Sequence, residues 1–395
     1  MPISRAFDAS NSARILTLTA YASFVPIGIV TVLLGPMLPT LSARWSLNYS
    51  QAGALFTAQY LASTCAVGVS GWLVTRWGFR FAMKAGLGLA TAGTAFILAG
   101  PEALGIACIV AYGAGLGLAV PAANLLVAEV NPGRRSAALN ILNFCWSAGA
   151  VACPFLVAVA AKIHHIGLFL GLVAAFLFSV LVGIAAMPSS IAEPRASVDA
   201  GAPSFRIEWK HPALLALAIL FFLYVGTENA FGGWVATFSK SLGNMSPAMS
   251  LMTPSFFYAS LMLGRWIAPL ILRSIDEVRL VQVGLLLASA GTTGLMLSHS
   301  LTGVLISACG AGFGLSSVYP ITIAMLSREF GSSASRVGSL MFTLSNIGGG
   351  LLPWIVGVSS SRFGSLKAGL LVPLIGSVLM AMLYLREWAP EPSNP

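Results

Sequence analysis

Charged residues are scarce in this sequence. Asp, Glu, Lys and Arg make up 8% of its 395 residues, whereas a soluble domain has roughly 25%. Apolar residues make up 57%, so too few polar side chains remain to cover a surface in contact with water. This composition excludes a large soluble domain built around a buried core.

Clusters of chemically reactive residues are also lacking. The five cysteines all fall inside long apolar runs, and none of the four histidines has metal-ligand spacing. We therefore expect no disulfide, no metal site and no cofactor. A membrane-embedded enzyme would require paired intramembrane acids or a histidine-rich metal cluster. The sequence thus indicates a protein that is not an enzyme.

Apolar runs long enough to cross a bilayer recur along nearly the whole chain. About 20 apolar residues span the roughly 30 Å hydrocarbon layer, and such runs must be helical because backbone groups in lipid need partners within the segment. The sequence therefore predicts an all-α membrane protein. Its twelve predicted transmembrane helices cover residues 15–39, 51–74, 81–100, 104–128, 136–161, 166–188, 213–238, 248–272, 278–298, 302–327, 336–360 and 366–386.

The distribution of basic residues predicts the orientation. If both termini are cytoplasmic, sixteen of the 21 Lys and Arg residues fall on the inner side, which agrees with the rule that basic residues stay in cytoplasmic loops. We expect a multi-pass protein of the cell (inner or plasma) membrane with both termini in the cytoplasm. The net charge of +9 follows from this topology, and the scattered charges argue against a nucleic-acid partner.

The sequence contains two similar halves. Three pairs of residues share an offset of 199 positions: Pro121 and Pro320, Gly149 and Gly348, and Pro154 and Pro353. The polar segment 189–212, rich in Ser, Pro and Ala, has the composition of a linker. The repeat predicts an N-terminal six-helix bundle over residues 1–188, a cytoplasmic linker over 189–212 and a C-terminal six-helix bundle over 213–395.

Several motifs carry a resemblance to a known family. The loop GWLVTRWGFR, from Gly71 to Arg80, resembles the signature of the major facilitator superfamily, with Thr75 in place of its acid. Other stretches resemble the fucose–galactose–hexose:proton symporter branch: Asn124, Pro132, Asn140 and Gly149, YVGTEN at 224–229, GRW at 264–266, the pair Tyr319–Pro320, and NIGGGLLP at 346–353. The resemblance implies two pseudo-symmetric six-helix bundles and a fucose or glucose/mannose permease-like transporter.

The sequence departs from this branch at its acidic positions. The acids that fucose permeases have in the first and fourth spans are replaced by Gly35 and Val120, and the glutamine of the fifth span is replaced by Asn143. Glu228 resembles the seventh-span glutamate of the glucose and mannose members. The loss of two acids favours a facilitative sugar uniporter more than the branch pattern alone would.

Glu228 is the one acid well inside a predicted span. An ionisable group in the bilayer costs about 2.5–3.5 kcal/mol on insertion scales and is by default a functional-site candidate. Burial favours the neutral carboxyl, and we expect no basic residue in mid-membrane to pair with it. We predict that Glu228 carries the coupling proton. The alternative is a permanently protonated group that hydrogen-bonds a neighbouring helix.

A neutral polyol requires amides, hydroxyls and aromatic faces rather than fixed charges. Eight residues are predicted to bind substrate: Gln59, Asn124, Asn143, Glu228, Asn229, Trp234, Tyr319 and Asn346. Each amide has helix packing as its alternative role, and Trp234 has interfacial anchoring. Four inner-face arginines are predicted to gate transport through helix-end contacts: Arg76, Arg80, Arg265 and Arg336.

Together these features predict a secondary active transporter that works by alternating access. The favoured substrate is a small neutral solute, above all a hexose such as glucose, carried with protons. A proton-driven exporter of drugs or metabolites and a facilitative sugar uniporter are the alternatives. The expected partners are the substrate, protons and the lipid bilayer, and the expected state is a monomer.

Overall fold

The computed structural model describes residues 2–188, 212–243, 245–330 and 334–385. These residues form α-helices, one short 3-10 helix at Pro132–Arg134, and no strand. The α-helices are α1 (Pro2–Val32), α2 (Leu34–Trp45), α3 (Tyr49–Trp77), α4 (Phe79–Phe96), α5 (Glu102–Val130), α6 (Arg135–Lys162), α7 (Ile166–Ala185), α8 (Pro212–Ser241), α9 (Pro247–Ile271), α10 (Glu277–Leu297), α11 (Leu301–Leu315), α12 (Val318–Phe330), α13 (Ala334–Phe363) and α14 (Leu366–Leu383).

These helices account for the twelve predicted spans. Ten stretches of the described residues are long and apolar enough to cross a membrane, and α4 and α9 occupy the predicted third and eighth spans. Two spans are each divided between two helices: the first between α1 and α2, and the tenth between α11 and α12. The prediction of an all-α, multi-pass membrane protein is confirmed.

Prolines explain the two divided spans. Pro36 and Pro320 have no N–H to donate to the carbonyl groups of Val32 and Ser316, four residues earlier. Near both breaks a backbone N–H bonds to the carbonyl three residues back instead of four. The second break matters for the candidate site because α12 then begins one residue before Tyr319.

The chain divides into two compact units, of which the first comprises Met1–Leu34 and Ala58–Ala200. In this unit α4 packs against α5 and α7, and α1 packs against α6. A side chain at Gly149 on α6 would collide with the carbonyl oxygen of Val25 on α1. Glycine therefore allows these two helices to cross with their backbones in contact.

The second unit comprises Gly35–Thr57 and Gly201–Pro395. Here α8 packs against α13, α14 and α9, and α10 packs against α11. A side chain at Gly348 on α13 would collide with the carbonyl oxygen of Phe222 on α8. Gly348 is the repeat partner of Gly149, so the two repeats place glycine at equivalent helix crossings.

The two compact units differ from the predicted bundles in one segment. Residues 35–57 precede the predicted linker by more than a hundred positions, yet they belong to the second unit. Within the predicted linker, residues 189–211 lie outside the described residues. The division of the chain into bundles at 188 and 213 stays a prediction.

Candidate functional site

Glu228 lies in the middle of α8, a helix that packs against α9, α11, α12, α13 and α14. A residue on such a helix is enclosed largely by other helices. Glu228 is accordingly buried, with 11% of its side chain exposed. A buried charge is costly unless it has a charged or hydrogen-bonding partner. The surroundings of Glu228 therefore decide what this carboxyl can do.

The charged partner of Glu228 is Arg265 on α9. Arg265 Nη2 lies 3.9 Å from Glu228 Oε2 and donates a hydrogen bond of 3.0 Å to the hydroxyl of Tyr224. Tyr224 precedes Glu228 by four residues, so both lie on the same face of α8.

The expectation that no basic residue pairs with Glu228 is therefore wrong. Arg265 belongs to the last two turns of α9, which ends at Ile271, and the sequence suggested only a helix-end role for it. An arginine side chain is long enough to carry its guanidinium group well away from its own backbone. In this case it reaches the middle of α8.

Tyr319 is the fourth residue of the site, beside Tyr224 and Arg265. It is the second residue of α12 and stacks on Tyr224, with ring centroids 5.2 Å apart. The approach of α9 depends on Gly264, because a side chain there would collide with Ser316 at the break between α11 and α12. The glycine before Arg265 thus brings the guanidinium close to both tyrosines.

We call Glu228, Tyr224, Arg265 and Tyr319 the Glu228 cluster. The separation of 3.9 Å between the charged atoms is too long for a direct hydrogen bond, so the guanidinium is not tied to the carboxylate. Arg265 Nε is buried without a hydrogen-bond partner among the described residues. The cluster therefore contains a carboxyl group that can take a proton, a cation with an unused donor, and two phenols.

Two other predicted substrate residues lie in the second unit. Asn229 follows Glu228 on α8, and its side-chain nitrogen donates a 2.8 Å hydrogen bond to the carbonyl of Val225 in the same helix. Asn346 is half-buried on α13. The structure does not assign a ligand to either amide, and their substrate roles stay predictions.

Three predicted substrate residues belong to the first unit. Gln59 is buried, and both ends of its amide are used: the nitrogen donates to the carbonyl of Thr31 at 3.1 Å, and the oxygen accepts from the Tyr112 hydroxyl at 3.1 Å. Asn124 and Asn143 each donate to a carbonyl four residues back in their own helix. Gln59 therefore joins three helices, whereas the two asparagines have amide oxygens without a partner among the described residues.

The predicted gating arginines have different surroundings. Arg76 is exposed at the end of α3 and forms no ion pair with the described residues. The side chain of Arg336 lies outside the described part of the chain. An ion pair that the sequence did not single out joins Arg328 at the end of α12 to Glu277 at the start of α10, with 2.6 Å between Nη2 and Oε2. The sequence feature that could have indicated this ion pair is the presence of opposite charges at two helix ends that are both predicted to lie on the inner side.

Arg80, the second residue of α4, caps the C-terminal end of α7. Its guanidinium donates to the carbonyl oxygens of Ile184 and Met187 at 3.2 and 2.6 Å. The last carbonyl groups of a helix lack intrahelical partners and carry partial negative charge, so a cation there is stabilising. Arg80 therefore joins α4 to α7, whatever its part in gating.

We expect Arg80→Ala to lower the free energy of unfolding by about 1–2 kcal/mol, because charge-assisted hydrogen bonds at a helix end are lost. The measurement is the thermal midpoint of the detergent-solubilised protein. Arg76→Ala removes the same type of side chain from an exposed position and should leave the midpoint nearly unchanged. Equal midpoints for the two variants would contradict the helix-end role.

Residues 35–57 belong to the second unit, and we call this segment the clasp. It packs against Trp234 on α8, whose ring contacts Tyr49 and Phe56 at centroid distances of 6.1 and 6.5 Å. Trp234 is fully buried, and its indole N–H donates to the carbonyl of Pro353 on α13 at 2.9 Å. In this conformation Trp234 is a packing residue between the clasp and two helices of its unit.

Glycines bring the clasp into backbone contact with these helices. A side-chain carbon at Gly35 would lie 3.0 Å from both the carbonyl oxygen of Gly232 and the Cα of Gly233. A side chain at Gly357 on α13 would collide with the carbonyl oxygen of Tyr49. An acid at Gly35 would therefore require these backbone atoms of Gly232 and Gly233 to shift by a few tenths of an ångström in this conformation.

Comparisons with known proteins agree with this architecture. The family model of the Major Facilitator Superfamily matches residues 20–353. The chain is similar to a glucose/galactose transporter of Brucella abortus biovar 1 (strain 9-941), with 25% identity over 378 residues that cover 88% of each protein.

Solved structures of transporters share the fold. The crystal structure of a D-xylose-proton symporter matches with a TM-score of 0.79 and 15% identity, covering 95% of this chain and 98% of that one. The transporter FucP in an outward conformation matches with a TM-score of 0.65 and 18% identity, covering 95% and 99%. FucP is a fucose:proton symporter of E. coli.

Proposed function

Because this chain belongs to the Major Facilitator Superfamily, we propose that it is a secondary active transporter of a small neutral sugar, a hexose such as glucose, coupled to protons through Glu228. Transport across the cytoplasmic membrane would proceed by alternating access. The observation that carries the proposal is the Glu228 cluster, in which a buried carboxyl lies 3.9 Å from a guanidinium and beside two phenols.

The charge on Glu228 can influence how α8 and α9 pack. Two unit charges about 4 Å apart attract by about 4 kcal/mol at an effective dielectric constant of about 20. Protonation of the carboxyl removes this attraction. A free-energy difference of about 1–3 kcal/mol already changes an equilibrium by about 5–150-fold. Protonation of Glu228 would therefore be sufficient to change which arrangement of the two helices is favoured.

The sugar proposal rests on hydrogen-bonding capacity and on similarity. Asn124 and Asn143 offer amide oxygens in the first unit, and Tyr319 and Arg265 offer polar groups in the second. Such groups match the hydroxyls of a neutral sugar. The similarity to a protein named as a glucose/galactose transporter supports a hexose.

Uptake of radiolabelled glucose into proteoliposomes tests this proposal. We expect the wild-type protein to accumulate glucose when the outer solution is more acidic than the lumen. We also expect a protonophore to abolish accumulation, and unlabelled galactose to compete. Liposomes without protein are the control, and a sodium gradient at equal pH tests the coupling ion. Absence of glucose uptake under all these conditions would overturn the sugar proposal.

A facilitative sugar uniporter is the second candidate, favoured by Gly35 and Val120 at the positions where fucose permeases have acids. For a uniporter, the glucose concentration inside the proteoliposomes would rise to the outer concentration and never exceed it.

An exporter of drugs or metabolites is distinguished from both sugar transporters by ligand-dependent thermal stabilisation, because only a bound ligand raises the midpoint of thermal unfolding. Stabilisation by hydrophobic amines and not by hexoses would favour the exporter.

A further inference from the structure

Tyr224 is the member of the Glu228 cluster that the sequence did not single out. Its side chain is 1% exposed, and its hydroxyl oxygen accepts a hydrogen bond of 3.0 Å from Arg265 Nη2. Glu228 Oε2 lies 3.9 Å from the same nitrogen. The phenol and the carboxylate therefore flank one nitrogen of the guanidinium, and each can respond to a change in the other.

The direction of the hydrogen bonds follows from the chemistry of the groups. A phenol has one hydrogen to donate and an oxygen that accepts. Since the oxygen of Tyr224 accepts from Arg265, its hydrogen remains for a different acceptor. The carboxylate of Glu228 is one turn away on the same helix face, and both groups lie beside Arg265 Nη2. An ionised Glu228 offers acceptor oxygens to this hydrogen.

Protonation of Glu228 changes the contacts that Tyr224 and Arg265 can make with it. A protonated carboxyl has a hydrogen of its own and is a weaker acceptor than a carboxylate, so a hydrogen bond from Tyr224 to it would lose its charge assistance. Arg265 loses its counter-charge at the same moment, and its Nε is already without a partner among the described residues. The guanidinium is then free to change its contacts.

We propose that Tyr224 is a positioning residue that transmits the protonation state of Glu228 to Arg265 and sets the pH at which Glu228 gains its proton. This inference rests on the proposed proton coupling and is independent of which substrate is carried. Glutamate and arginine alone would form a long ion pair. The phenol hydroxyl, which accepts a hydrogen bond from the guanidinium, supplies the directional contact that makes the position of the guanidinium depend on the proton.

Few other titratable groups bear on Glu228. Tyr224 lies on its own helix, Arg265 on α9 and Tyr319 on α12. Helices α11, α13 and α14 also pack against α8, and their titratable residues with described side chains are Cys309, Arg362 and Lys367. None of these three forms an ion pair or a hydrogen bond with Glu228. A change in the titration of Glu228 on altering Tyr224 can therefore be traced to this cluster.

The test is a pH titration of the reconstituted protein by infrared difference spectroscopy, which detects the C=O stretch of a protonated carboxyl. Subtraction of the Glu228→Gln spectrum assigns the band. Tyr224→Phe removes a donor that stabilises the carboxylate, so the protonation midpoint should rise by about 1 pH unit. Tyr384→Phe is the matched control: it removes a buried hydroxyl that hydrogen-bonds Thr322 at 2.7 Å and should leave the midpoint in place.

A second substitution is expected to shift the protonation midpoint of Glu228 in the opposite direction. A fluorinated tyrosine at position 224 keeps the ring and makes the hydroxyl a stronger donor, so the midpoint should fall. Coincident midpoints for the wild type, Tyr224→Phe and the fluorinated protein would overturn the role of Tyr224. A Glu228 band that does not respond to pH would overturn it together with the proton coupling. No sugar enters the experiment, so a failure of glucose transport is a separate result that bears on the proposed substrate.

Discussion

Glu228→Gln is expected to abolish gradient-driven accumulation of glucose and to leave exchange of glucose at equal pH intact. Glutamine keeps the shape and hydrogen-bonding capacity of the side chain but cannot gain or lose a proton. An inward gradient of about 1 pH unit supports about tenfold accumulation when one proton moves with each sugar. In the variant the ratio of inner to outer glucose should fall to about one. Radiolabelled uptake and counterflow in proteoliposomes measure both quantities.

The control for this variant is Glu102→Gln, which makes the same chemical change at an exposed position in the first turn of α5. It should accumulate glucose like the wild type. Accumulation retained by Glu228→Gln would show that Glu228 does not carry the proton. Equal loss of accumulation and exchange would assign the residue to folding or sugar binding instead.

Gly357→Leu should shift the protein away from the conformation described here, because a side chain at this position collides with the Tyr49 carbonyl of the clasp. Overpacking of this kind costs about 1–3 kcal/mol, which changes a conformational equilibrium by about 5–150-fold. The measurement is labelling of Ala52→Cys, in a cysteine-free background, by a membrane-impermeant maleimide. Ala52 is 1% exposed in the clasp, so its labelling rate should rise by about the same factor.

Gly171→Leu is the matched control for the clasp variant. Gly171 lies on α7, and a side-chain carbon there would meet nothing within 4 Å, so Ala52→Cys should be labelled at the wild-type rate. Identical labelling in the Gly357→Leu background would mean that the clasp does not separate from α13. Faster labelling accompanied by a loss of the folded protein in size-exclusion chromatography would indicate unfolding and would equally contradict the prediction that the clasp separates from α13.

The spans could be predicted because the bilayer fixes the length of an apolar helix. The internal repeat could be predicted because Gly149 and Gly348 lie at equivalent helix crossings in the two halves of the sequence. The breaks in the first and tenth spans could not be placed in the same way. Proline causes them at Pro36 and Pro320, yet Pro353 lies inside α13 without ending it. Tertiary packing decides which proline interrupts a helix.

Within the candidate site, Glu228 could be identified from the sequence because a carboxyl is costly to bury. Its partner Arg265 could not. Glu228 stands out because a carboxyl in an apolar run requires an explanation. Arg265 lies near the end of another helix, and its approach depends on the contact of Gly264 with Ser316, which no spacing in the sequence reveals. Trp234 is predicted to meet substrate, and in this conformation it is buried against Tyr49 and Phe56 of the clasp, so its substrate role stays a prediction.

Proton movement during sugar entry tests the central claim most directly. Glucose is added to a lightly buffered suspension of proteoliposomes that contain the wild-type protein, and the pH of the outer solution is followed. Coupling through Glu228 predicts that the outer solution becomes more alkaline as glucose enters, and that Glu228→Gln takes up glucose without this change. Glucose entry by the wild type at constant outer pH would contradict the account.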